Sequence, residues 1–167
     1  MRVIFIRHGI AQPREDWVGT DFSRPLTDEG KEKLQKISYV MSKFVKIDNI
    51  ISSNYSRAKE TSEVLKKNFS VEVEINDTIA LGADYRDFLK IFKANRNLES
   101  IMFVGHEPDF SEVISKITGL TCGSLKVKKA SYIELDVDEN FQGTLLNFMA
   151  PRTILNLSEF SFPEEIQ

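Results

Sequence analysis

A chain of 167 residues fits one domain of ordinary size, long enough to bury a sizeable core, and no stretch in it resembles a linker between two cores. Lysine and arginine number 22 against 25 aspartates and glutamates, a formal net charge of −3, so no global basic field points to nucleic acid and any anion site must be local. The single cysteine, Cys122, cannot close an internal disulfide and lacks the companions of a zinc or CxxC pattern, which favours a reducing compartment.

The first apolar run, Val3–Ile6, reads as a buried strand and is far too short for a signal-peptide core. No segment approaches the roughly 18 apolar residues of a membrane span, so a cytoplasmic location without membrane contact is expected. Further strand-like runs at Asn49–Ser52, Val71–Ile75 and Ile101–Val104 are each followed by a polar or helical stretch, the alternation of an α/β sheet that is largely parallel. Between the first two strands, Leu34, Ile37, Met41 and Phe44 recur at spacings of three and four. They predict one helix face packed on the sheet, with Thr27 as N-cap; Gly30 in its first turn leaves the start open. A second helix is expected from about Ser56 to Lys67, burying Val64 and Leu65. A third, around Tyr85–Lys93, buries Phe88, Leu89 and Phe92, and a fourth follows Pro108 with Phe110, Val113, Ile114 and Ile117 inward. Ser131–Val137 and Thr144–Met149, joined by "DENFQG", alternate like a hairpin that closes the sheet antiparallel. Residues 1–155 are expected to form the domain, and 156–167 a C-terminal tail. The closing segment from Pro151 turns acidic after Pro163, the pattern of a docked segment with a frayed end.

The chain contains two histidines, and each ends a buried strand beside a glycine: His8 in "VIFIRHG" and His106 in "SIMFVGH". A lone histidine next to an apolar run is usually structural, but two of two at matching positions weaken that reading. In an open α/β sheet, ligands bind outside the carboxyl ends of strands where connections diverge. If the two strands are neighbours, both imidazoles reach one crevice. "SSNYSRAKET" at residues 52–61 puts Arg57 in the first turn of the second helix, where free N–H groups and the helix dipole favour an anion and a guanidinium can fork onto phosphate oxygens. The bland alternative is a solvated surface arginine. Together Arg7, His8, Arg57 and His106 describe a cationic pocket suited to phosphoryl transfer, which is stabilised mainly by positioned positive charge. The absence of a GxxxxGK[ST] loop excludes a P-loop nucleotide machine. With two histidines no three-residue metal set is evident, although both histidines with one carboxylate, Asp84 or Glu107, remain an alternative.

These motifs resemble those of the histidine phosphatase superfamily. Arg7-His8-Gly9, then Ser53 with Arg57-Ala58-Lys59-Glu60-Thr61, then Gly105-His106 follow the family's order, and the likeness runs from residue 1 to about 155. The resemblance implies a phosphoglycerate mutase-like fold of three layers, a mostly parallel sheet with helices on both faces and an antiparallel edge hairpin. It implies His8 as the nucleophile that becomes phosphohistidine, Arg7, Arg57 and His106 on the phosphoryl oxygens, Gly9, Ser53 and Gly105 at the substrate, and no metal or organic cofactor. The short length and "SRPLTDEG" at residues 23–30 are similar to the small phosphohistidine phosphatases of the SixA-like branch, which implies a role in signal transduction. Arg24 in that stretch reads equally as a branch-specific residue or as an ion pair holding the first loop.

One departure concerns the general acid. Many members use a carboxylate to protonate the leaving oxygen, and here none stands out; Asp84 in "LGAD" leads, with Asp21 and Glu107 behind it. A site without a strong acid favours N–P over C–O–P substrates, because imidazole, with a conjugate acid near pKa ~6.5, leaves with little help. His8 must attack as neutral imidazole, a state that Arg7 and Arg57 favour. The expected activity is that of a phosphatase acting on phosphohistidine in a protein. A small-molecule phosphomonoesterase or mutase of the same fold, and a non-catalytic module that binds a phosphorylated partner, are the alternatives.

Overall fold

The computed structural model describes residues 1–157 and residue 159. In chain order it comprises β1 (Arg2–Arg7), α1 (Asp28–Met41), β2 (Asn49–Ser52), α2 (Ser56–Phe69), β3 (Val73–Ile75), a 3-10 turn (Asp77–Ile79), α3 (Tyr85–Ala94), β4 (Ser100–Gly105), α4 (Asp109–Thr118), β5 (Tyr132–Val137), β6 (Gly143–Met149) and α5 (Pro151–Leu157). The six strands form one sheet in the order β3-β2-β4-β1-β5-β6. Its first four members are mutually parallel, and β5 and β6 run antiparallel along the β1 edge. The hairpin thus closes the sheet where the alternating segments predicted it.

Strand periodicity divides the core into two layers. Val3, Phe5, Ile51, Ile101 and Phe103 face α3 and α4, where Phe88, Phe92, Phe110, Val113 and Ile114 meet them. Ile4, Ile6, Ile50, Met102 and Val104 face the opposite way, toward Leu34, Ile37 and Met41 of α1, Ala58 and Leu65 of α2, and Ile154 of α5. β1 therefore hands the chain to one face through α1, and β4 hands it to the other through α4. Their adjacent carboxyl ends form a switch point of the kind that leaves a crevice.

Two local details depart from the periodic reading. Phe44 lies beyond α1, which stops at Met41 with Ser42 as C-cap; the turn that follows breaks the 3.6-residue repeat and leaves Phe44 half exposed, edge-on to the Tyr132 ring at 5.8 Å. β3 begins at Val73, not Val71, because it is an edge strand whose register with β2 starts at the Ile50–Val73 pair. The helix start left open by Gly30 is settled: Thr27 caps α1 by accepting from the Gly30 N–H at 2.9 Å. A Cβ at position 30 would collide with the Ile10 carbonyl oxygen, so glycine lets α1 approach the β1 loop closely. The docked part of the closing segment is α5, whose Ile154 is fully buried; the expected frayed end lies outside the described residues.

Candidate active site

Arg7 and Gly105 are paired in register as the last residues of β1 and β4. The ladder continues one step further, the His8 N–H donating to the Gly105 carbonyl at 3.0 Å. Both histidines consequently emerge side by side, ring centroids 5.3 Å apart, and both are buried. The other side of β4 repeats this device: the Ser53 N–H donates to the Val104 carbonyl at 2.9 Å, which sets Ser53 Oγ 2.8 Å from His106 Nε2.

Arg57 sits in the first turn of α2 and is only 3 % exposed, which rules out the solvated surface arginine. Its Nε donates to His8 Nε2 at 3.2 Å, and on the other side of the ring His8 Nδ1 lies 2.8 Å from the Gly9 carbonyl oxygen. A carbonyl only accepts, so Nδ1 carries the proton and Nε2 presents its lone pair. Burial is the main reason that the His8 pKa is pushed from 6.5 to about 2; the Gly9 carbonyl opposes this, and His106, Arg57 and Arg7 add to it. His106 is pushed down to about 3, again by burial first, then by Arg57, with Asp21 opposing. Both imidazoles are neutral in the folded protein.

Acid should therefore destabilise the fold in a defined window. Between the unfolded value of 6.5 and the depressed folded values of about 2 and about 3, the unfolded chain binds protons that the folded one refuses. The histidine contribution is thus intact above about pH 6.5 and is lost as the pH falls toward 3, with a slope of up to about 1.4 kcal/mol per pH unit for each histidine. Urea midpoints measured from pH 7.5 to 4 should fall steadily, and less steeply in a His106→Ala chain; a flat profile would contradict the buried neutral imidazoles.

Two buried polar atoms of the site have no partner among the described residues: Arg7 Nε and His106 Nδ1. Such orphans are rare and mark a place where a ligand belongs. Arg7 is otherwise fixed by Nη1 donating to the Val127 carbonyl at 2.7 Å, and the Ala130 N–H holds the Arg7 carbonyl at 2.8 Å. Ser53 also accepts from the Tyr55 N–H at 3.4 Å, and with its second lone pair and its hydroxyl hydrogen it can serve either tautomer of His106 at Nε2. The crevice thus places the unpartnered Nε of Arg7 and Nδ1 of His106 beside the neutral imidazole of His8.

Residues 3–80 match the histidine phosphatase superfamily (branch 1), and this span carries Arg7, His8, Ser53 and Arg57, which the fold has just gathered with His106. Among solved structures, the protein histidine phosphatase SixA complexed with tungstate superimposes with a TM-score of 0.83 at 22 % identity, over 94 % of this chain and 99 % of that one. A putative phosphohistidine phosphatase SixA from Agrobacterium tumefaciens gives 0.74 at 22 % identity, over 90 % and 97 %. A putative alpha-ribazole-5'-P phosphatase from Escherichia coli gives 0.73 at 18 %, over 90 % and 98 %. At these identities the likeness bears on the fold. No curated relative matches the chain.

For a site of this make-up the next question is a proton donor, and the three candidate carboxylates are all engaged. Asp84 is exposed and caps α3: its Oδ1 accepts from the N–H groups of Arg86 at 2.7 Å and Asp87 at 3.3 Å, in a capping box with Asp87. Among the described residues no hydrogen bond or ion pair joins it to His8, His106, Arg7 or Arg57, so the leading candidate is accounted for as a cap. Glu107 accepts from the Ser111 N–H at 3.1 Å and from the Ser111 hydroxyl at the start of α4. Asp21, ranked behind Asp84, is the carboxylate within the cluster, 3.0 Å from Arg57 Nη2 and 2.8 Å from Arg24 Nη2. Partial burial works to raise its pKa, yet Arg24 and Arg57 hold it below the usual carboxylate range. It stays an anion and a poor acid. Asp84→Ala should cost about 0.5–2 kcal/mol of stability, as for other lost caps, and leave phosphoramidate turnover within twofold of wild type; a tenfold loss of turnover would restore it as the acid.

Arg24 proves to be the ion pair that holds the first loop, bonded to Asp21 and, through Nη1, to the Gln12 carbonyl at 2.7 Å. Gly105 serves packing, since a Cβ there would come within 2.9 Å of the Phe110 ring. Gly9 donates its N–H to Thr61 Oγ1 at 3.0 Å, and Thr61 in turn donates to the Arg57 carbonyl at 2.7 Å, locking the two motifs together. Tyr55 brackets the site, its ring 4.9 Å from that of His106 and under Arg57 at 4.8 Å. Among the described residues no group of three histidines, cysteines or carboxylates could hold a metal ion, and no helix is long and apolar enough to cross a membrane.

Proposed function

We propose that the chain is a protein phosphohistidine phosphatase that works through a phosphohistidine at His8. The supporting observation is a neutral imidazole set in a cationic crevice whose nearest carboxylates are already engaged, Asp21 by two guanidinium groups and Glu107 by Ser111. As the substrate's phosphoryl group enters, Arg57 Nε gives up its hydrogen bond to His8 Nε2 for a phosphoryl oxygen; the freed Nε2 attacks phosphorus, and the bond between phosphorus and the substrate nitrogen breaks with its electron pair going to the leaving imidazole. That imidazole, already protonated on its far nitrogen, departs neutral and needs no acid from the protein. Arg7 Nε, Arg57 and the N–H of His106 hold the phosphoryl oxygens as charge develops on them. Water then attacks the phosphoryl group on His8, inorganic phosphate leaves, and the imidazole is regenerated. No metal or organic cofactor takes part. Two neighbours, one described as the protein histidine phosphatase SixA complexed with tungstate and the other as a putative phosphohistidine phosphatase SixA, agree with this reading.

The test is the dependence of rate on the leaving group. His8 phosphorylation should be fast with phosphoramidate and aryl phosphates and on the order of 10²-fold or more slower with alkyl phosphates, the size of a missing general acid. Efficient hydrolysis of an unactivated sugar phosphate would overturn the proposal in favour of a small-molecule phosphomonoesterase, for which the alpha-ribazole-5'-P phosphatase likeness supplies the precedent of fold.

A further inference from the structure

We infer that a second concavity beside the histidine crevice is a subsite for the polypeptide flanking the phosphorylated residue of a protein substrate, and that it takes a segment pairing aliphatic with acidic side chains. This rests on the reading of the chain as a protein phosphohistidine phosphatase.

The cavity has a volume of about 350 Å³ and lies between α1, α5 and the segment that precedes β5. Gly9 and Ile10 line it while His8 and His106 do not, so it starts at the residue that follows the proposed nucleophile and leads away from it. Its floor is apolar, with Ile10 and Leu34. Its charged lining residues are Lys33, Lys129 and Arg152, all cations. In a chain whose acidic residues outnumber the basic 25 to 22, a concavity whose charged lining is basic among the described residues, set beside apolar side chains, selects a ligand that combines an anion with aliphatic bulk. The volume is that of a small ligand or a few side chains, toward the lower end of the range of roughly 300–1,000 Å³ for binding pockets. A protein substrate, whose chain continues on either side of the phosphorylated residue, can fill both places at once.

Lys129 links the two. Its pKa is lowered by burial first and then by the charges of Arg7, Arg24 and Arg57, so its ammonium stands in the field of the same group that receives the phosphoryl oxygens. Lys33 is paired with Glu29 four residues earlier, an exposed helical pair of the kind worth only a few tenths of a kcal/mol. An incoming carboxylate can therefore redirect it. Phosphoramidate occupies the crevice alone and never reaches Lys33 or Arg152, which makes the cavity a discriminator between protein and small-molecule substrates.

Two phosphohistidine peptides, one flanked by Glu and Leu and the other by Lys and Ser, are compared with phosphoramidate on wild type and on the full-length Lys33→Glu/Arg152→Glu chain. A milder Lys33→Gln/Arg152→Gln chain guards against misfolding. Wild type should prefer the acidic peptide by on the order of tenfold in kcat/KM, the sum of two surface charge contacts. In the charge-reversed chain that preference should vanish through KM, and the phosphoramidate rate should stay within twofold. Equal kcat/KM for both peptides in wild type, or a preference that survives charge reversal, overturns the inference. A fall in KM for the acidic peptide on Glu164→Lys/Glu165→Lys would make the chain's own C-terminal residues the occupant and overturn it as well. If wild type cleaves aryl phosphates but neither peptide, the phosphohistidine reading fails. Anisotropy of a labelled phosphonate analogue of the acidic peptide then decides the cavity on its own: tighter binding to wild type than to the charge-reversed chain upholds it, and equal binding sinks it.

Discussion

His8→Ala is expected to abolish turnover, lowering kcat by on the order of 10⁴-fold or more on every substrate, because in the proposed mechanism the variant lacks the atom that accepts phosphorus and not merely a group that assists it. No neighbour can replace it: Ser53 Oγ is committed to His106, and Cys122 lies exposed on a loop. The fold should survive, since β1 is held by its backbone ladders to β4 and β5 and the imidazole bonds only to the Gly9 carbonyl and to Arg57 Nε. In wild type, a quenched reaction with labelled substrate should trap phosphate in an acid-labile, alkali-stable linkage mapping to His8. Label recovered on serine, aspartate or cysteine would contradict the assignment, as would residual turnover in a folded variant above about one part in a thousand.

The reason so much of this site could be read from the chain is that β1 and β4 are buried on both faces. Continuous apolar runs such as Val3–Ile6 and Ile101–Val104 leave only their ends free to carry chemistry, and a histidine at each end was a signal with few competing explanations. Helix faces were legible wherever the 3.6-residue repeat held, as along Phe110, Val113, Ile114 and Ile117, and failed at Phe44, where a turn interrupts it. What the sequence concealed is carried by loops. The clamp of Val127 and Ala130 on Arg7 uses backbone groups, which have no code in side-chain types; its trace is the positive φ of 60° at Ala130, invisible in an alanine. Asp84 and Asp21 illustrate the same limit. A carboxylate before a helix is either a cap or an acid, and only the position of its partners separates the two: Asp84 meets two backbone N–H groups, whereas Asp21 meets two guanidinium groups from residues 24 and 57.

Arg57→Ala should lower kcat by on the order of 10²–10³-fold, the loss of one preorganised donor group aimed at developing phosphoryl charge. Three of its nitrogens already act in the folded protein: Nε on His8 Nε2 at 3.2 Å, Nη1 on the Asp21 carbonyl at 2.8 Å and Nη2 on the Asp21 carboxylate at 3.0 Å. The guanidinium therefore both directs the nucleophile's lone pair and ties the first loop over the crevice. Arg57→Lys separates these tasks from simple charge, because an ammonium restores the positive field without the planar fork. If charge alone matters, lysine should recover activity to within about tenfold of wild type. If the fork matters, lysine should remain close to alanine in kcat, and Asp21, left with Arg24 as its one guanidinium partner, should hold the loop less firmly. Limited proteolysis within Gln12–Asp21 would then accelerate in both variants while the core resists. A kcat unchanged in Arg57→Ala would remove this residue from the chemistry and reduce the cationic crevice to Arg7 and the two histidines, too little to stabilise a transferring phosphoryl group without a further cation.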